Sequence, residues 1–76
     1  MQEIKENDVV ALLVDLPEQK LYRGDVGTVV DVFTKNEHHP DGYVVEFVTE
    51  SGSVYAHADI TDASQLMRLN FRREAA

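Results

Sequence analysis

Apolar residues along the chain fall into short clusters separated by polar links that carry Gly or Pro. The first cluster, Asp8-Val9-Val10-Ala11-Leu12-Leu13-Val14, has the length of a strand. A long link follows, Asp15 to Asp25, broken by Pro17, which lacks a backbone donor, and by Gly24, which permits a turn. Leu16, Leu21 and Tyr22 are too apolar for a free loop, so this link is expected to fold back onto the body of the protein. A second strand runs roughly from Val26 to Thr34, and Thr28 to Val32 is rich in the β-branched residues that strands favour. Lys35 to Gly42 reads as a polar turn with Pro40-Asp41-Gly42 as its breaker, and Tyr43 to Thr49 as a third strand.

Glu50-Ser51-Gly52-Ser53 predicts a tight hairpin connection to a fourth strand, Val54 to Ile60. That strand alternates: Val54, Ala56, Ala58 and Ile60 fall on one face, and Tyr55, His57 and Asp59 on the other. Thr61 or Asp62 has the side chain to cap a single helical turn over Asp62 to Gln65, and Leu66 to Asn70 makes a short last strand. Phe71 to Ala76 is a mixed-charge tail. No extended 3.6-residue apolar period and no internal repeat are present, so a helical bundle is not expected. The pattern predicts an all-β single domain spanning 1–76, with its core over about 5–70: a small five-stranded SH3-like barrel with a long first loop and one helical turn before the last strand.

Gly24, Asp25 and Gly27 are assigned a structural role, as a turn and bulge that deliver the chain into the second strand. Arg23-Gly24-Asp25 spells a cell-adhesion tripeptide, but the turn explains it better, because Gly turns the chain and Asp can bond nearby backbone donors.

The second and third strands are apolar on both faces, where a half-buried antiparallel strand usually alternates apolar and polar. If Thr28, Val30 and Val32 face the core, Val29 and Phe33 face out; if Tyr43, Val45 and Phe47 face the core, Val44 and Val48 face out. Val29, Phe33, Val44 and Val48, with Tyr55 on the polar face of the fourth strand, are therefore the candidate interface for a protein partner or a second copy.

Charge and composition narrow the function. Fourteen acidic against seven basic residues give a net charge of −7, which repels a polyanion; Arg68, Arg72 and Arg73 are the only basic cluster. Nucleic-acid binding therefore ranks third among the functional readings. The absence of cysteine excludes disulfides and thiolate metal sites and suits a reducing cytoplasm. No apolar run reaches the roughly 20 residues a bilayer helix needs, and the amino terminus does not read as a signal peptide, so no membrane role is expected.

Candidate chemistry is sparse. His38 and His39, beside Glu37 and Asp41, are adjacent, and adjacent residues in extended chain point apart, so no metal is assigned. Ser51, Ser53 and Ser64 lack a nucleophile-elbow context, and Tyr55, His57 and Asp59 are accounted for by a solvated strand face. A barrel of this size is expected to lack a pocket of about 300 Å³ of its own. No catalytic residue and no cofactor are assigned.

The run Val9 to Leu13, Leu16-Pro17, Arg23-Gly24-Asp25-Val26-Gly27-Thr28-Val29-Val30 and Gly42-Tyr43-Val44-Val45-Glu46-Phe47 resembles a family of small bacterial proteins grouped as domain of unknown function 4926, over roughly residues 5–70. The resemblance implies an SH3-like barrel and carries over no catalytic residue. The Gly-Asp-Val-Gly-Thr-Val turn, with His38-His39-Pro40-Asp41 after it, is also similar to the SH3-like domain of the nitrile hydratase β subunit. The helical half of that subunit has no counterpart here. The primary expectation is a noncatalytic protein-interaction module, an accessory or regulatory partner such as an antitoxin or immunity-like protein, with a small accessory enzyme subunit as the alternative.

Overall fold

The computed structural model describes residues 3–34, 37 and 41–70. Most of the Lys35–Gly42 turn, with His38, His39 and Pro40, and the 71–76 tail lie outside the described residues. Five antiparallel strands form one sheet: β1 Val9–Leu12, β2 Val26–Phe33, β3 Gly42–Val48, β4 Val54–Ile60 and β5 Leu66–Arg68. Their order across the sheet is β4-β3-β2-β1-β5. The short links from β2 through β4 make sequence neighbours pair, and only β5 returns to lie beside β1. The protein is all-β, as its pattern predicts, and the strands curl round a common core without closing, since β4 and β5 end the sheet. This arrangement is compatible with an SH3-like barrel.

The core gathers one face of every strand: Val10 and Leu12 from β1, Val29 from β2, Val45 and Phe47 from β3, Ala58 and Ile60 from β4, and Leu66 from β5. Phe47, the largest fully buried side chain, pairs in register with Gly27 on one side and Ala56 on the other. Small partners flanking the one large ring let the layer interdigitate. The long link does return to the body. Leu21 is fully buried and Leu16 packs against the core, while Tyr22 stays outside. A 3-10 turn, Pro17–Gln19, shapes this link. It is closed by reciprocal bonds in which the Leu16 N–H donates to the Leu21 carbonyl at 2.8 Å and the Leu21 N–H to the Leu16 carbonyl at 3.1 Å. Pro17 opens the turn, where a missing donor costs nothing, and Lys20 ends it in the left-handed region at φ 59°.

Asp62 caps the second 3-10 turn, Ala63–Gln65, by accepting from the Ser64 N–H at 2.9 Å and the Ser64 hydroxyl at 2.6 Å. These bonds hold the exposed Asp62 carboxyl below its ordinary pKa. The helical turn before the last strand is therefore present where the cap residue predicts it.

Two register shifts overturn part of the inward and outward assignment. Between β2 and β3, Val29 pairs with Val45 but Asp31 pairs with Val44, so Val30 is an inserted residue. Without the insertion, Asp31 would share the inward side with Val29; with it, Asp31 turns to the outer face and Val32 joins the Tyr43 side. Val29 pairs with the buried Val45 ahead of the insertion, is fully buried and is no part of an exposed interface, contrary to expectation. Between β3 and β4, Phe47 pairs with Ala56 and Val48 with Val54, which makes Tyr55 the inserted residue of β4.

Gly27 also needs correction. It lies inside β2 and carries no positive φ; the positive-φ glycines are Gly24 at 96° and Gly52 at 90°. What requires glycine at 27 is proximity: a Cβ there would meet the Glu46 carbonyl oxygen at 2.6 Å and Val45 Cγ1 at 2.7 Å.

Candidate functional site

The turn before β2 is built by its own polar groups. The Asp25 carboxylate accepts from the Tyr22 N–H at 2.9 Å, and the Asp25 N–H returns a bond to the Tyr22 carbonyl at 3.0 Å. The Gly24 N–H donates to the Leu12 carbonyl at 2.7 Å, tying the turn to β1, and the Arg23 N–H donates to Asp15 at 2.9 Å. The Arg23-Gly24-Asp25 tripeptide is thus a structural turn. On the far side, the β3–β4 hairpin is held by the Thr49 N–H donating to the Ser53 carbonyl at 2.9 Å and by a 3.0 Å contact between the Thr49 and Ser51 hydroxyls.

Between this turn and this hairpin lies an open groove of about 560 Å³. Val26 and Val48, both half-buried, supply apolar lining, and Asp25, Glu50 and the Tyr55 ring supply the polar and aromatic lining. Its volume exceeds what the chain length suggests, because it is a hollow between two loops rather than a space inside the barrel. Tyr55 and the Asp25 carboxylate line this groove together. Partial desolvation, and then the negative Asp25 carboxylate nearby, raise the Tyr55 pKa above its ordinary value. The groove thus brings the inserted residue of β4 and the turn that precedes β2 to one surface.

The expected interface residues are dispersed by this geometry. Val48 and Tyr55 meet in the groove. Phe33 lies instead in a second hollow of about 210 Å³, with Val32, Thr34, Asp41, Gly42 and Tyr43. Its ring covers Gly42 so closely that a Cβ there would meet it at 2.5 Å. Val44 is on the outer face of the sheet between its register partners Asp31 and Asp59. The adjoining row pairs Thr28, Glu46 and His57, with His57 Nε2 3.4 Å from Glu46 Oε2. Asp25 and Glu50 were not among the interface candidates. Asp25 has a turn function that hides its second one, and no short-range pattern places Glu50 beside it.

Among the described residues no group of three or more His, Asp or Glu side chains is disposed to hold a metal, and no helix is long and apolar enough to cross a membrane. Of the basic cluster considered for nucleic acid, Arg68 is engaged, its Nε 3.3 Å from Asp8 Oδ2, and Arg72 and Arg73 lie outside the described residues.

Fold and groove together define a small all-β domain with an acidic, partly apolar hollow at one end of its sheet. The family described as domain of unknown function (DUF4926) matches residues 6–68, and the chain belongs to that family. No curated protein and no solved structure matches it.

Proposed function

We propose that this protein is a noncatalytic protein-interaction module that acts as an accessory or regulatory partner of another protein, and that the groove between the Tyr22–Asp25 turn and the β3–β4 hairpin is its docking surface. The observation that carries the reading is the meeting of Val48, from the two-sided apolar pattern of β3, and Tyr55 of β4 with Asp25 and Glu50 in one concave surface. Concavity combined with apolar area and a few convergent polar groups is what recognition surfaces share. The net charge of −7 adds long-range attraction toward a basic partner.

The test compares immobilised parent protein with a folded Val48→Glu/Tyr55→Ala variant in capture from native lysate, read by quantitative mass spectrometry. Loss of specific captured proteins from the variant supports the reading. An identical captured set, with circular dichroism showing the variant folded, refutes it.

A further inference from the structure

Building on the groove as docking surface, we infer that it is anchored by a cationic side chain, an arginine or lysine projecting from the surface of the partner protein. The lining carries two carboxylates, Asp25 and Glu50, and no basic residue. The Glu50 carboxylate meets no donor among the described residues. Asp25 accepts from the Tyr22 N–H, and a carboxylate offers about four acceptor positions, so it keeps capacity for another donor.

The rest of the lining suits the remainder of such a side chain. Val26 and Val48 offer apolar surface for a methylene stem, and the Tyr55 ring offers a face for a guanidinium or ammonium. Gly24 widens the entrance, since no atom lies within 4 Å of where its Cβ would be. An anionic occupant would face two like charges, and a purely apolar one would strip water from both carboxylates with no compensating bond. A long cation with an aliphatic stem meets every one of these surfaces.

The probe is acetyl-Gly-Arg-Gly-amide, with the neutral isostere acetyl-Gly-citrulline-Gly-amide as control, titrated into the 15N-labelled protein. Saturable shifts at the Gly24, Val26, Val48, Thr49 and Tyr55 amides by the arginine peptide alone support the inference. A dissociation constant on the order of millimolar is expected for one exposed anchor. Glu50→Gln should weaken it about threefold, the size of an exposed ion pair, and Glu50→Lys should abolish it. Equal shifts from both peptides, or non-saturating shifts spread over the whole surface, would overturn it. So would a doubled sedimentation mass for the parent that Glu50→Gln restores to the monomer, because the occupant would then be a second copy. If Val48→Glu/Tyr55→Ala loses captured proteins while the arginine peptide gives no saturable shift, the module reading stands and the cationic anchor falls.

Discussion

A Cβ placed on Gly27 would lie 2.6 Å from the backbone carbonyl oxygen of Glu46 on the neighbouring strand. That oxygen belongs to the β2–β3 ladder and cannot swing aside as a side-chain tip would. Gly27→Ala must therefore push two strands apart, and a cost of about 1–3 kcal/mol is expected. Gly24→Ala meets no atom but must adopt φ near 96°, which costs about 1 kcal/mol. Urea denaturation of the two variants should rank Gly27→Ala as the less stable. The reverse order would show that backbone angle, and not strand proximity, explains these glycines.

Val29 and Val32 share the inner side of β2 across the insertion at Val30 but differ in burial. Val29 is fully buried, whereas Val32 is 39% exposed near the end of β2. Val29→Ala should cost on the order of 2 kcal/mol through lost contacts and a residual cavity. Val32→Ala should stay within about 0.5 kcal/mol of the parent, as surface changes do. Thermal melts read this directly, and equal losses at both positions would contradict the difference in burial between them.

The placing of Tyr55 beside Asp25 carries a pH signature. The folded-state pKa of Tyr55 is raised, so its protonated form contributes stability that is fully present below the ordinary tyrosine value of 10.0 and is lost as pH rises through the folded value. In a Tyr22→Phe/Tyr43→Phe background, phenolate absorbance should titrate above that value. Adding Asp25→Asn should lower the midpoint, because the carboxylate charge is removed. A midpoint indifferent to Asp25→Asn would show that the two groups are not coupled.

Nucleic acid is expected to bind no tighter than the micromolar range at about 150 mM salt. Arg68 is held near Asp8, and the outer face displays Asp31, Glu46 and Asp59. Fluorescence anisotropy with a random single strand and a random duplex measures it. A submicromolar, steeply salt-dependent constant would promote Arg68 and the residues after it to a binding surface.

Strand number, approximate boundaries, the Asp62 cap and the turn at Gly24-Asp25 were legible in the chain because each depends on residues within a few positions of one another. Alternation alone also assigned β4 from Ala56 to Ile60, where Ala58 and Ile60 are buried and His57 and Asp59 are exposed, but not Val54, which the insertion of Tyr55 turns to the Val48 side and leaves exposed. The same logic failed in β2, because a bulge depends on pairing with another strand: Asp31 avoids burial only by the insertion of Val30 opposite β3. Gly27 looked like a flexible joint and is instead a point of contact between strands, since what excludes a side chain there is the backbone of Glu46. The groove is the least local feature of all. Asp25 lies at the end of a loop and Tyr55 in a bulge two strands away, and only folding of the sheet sets a carboxylate against that hydroxyl. The sequence by itself determined the elements and the residues available to the core. Tertiary structure decided which side of each strand is covered and which distant side chains share a surface, because both follow from contacts that span the chain.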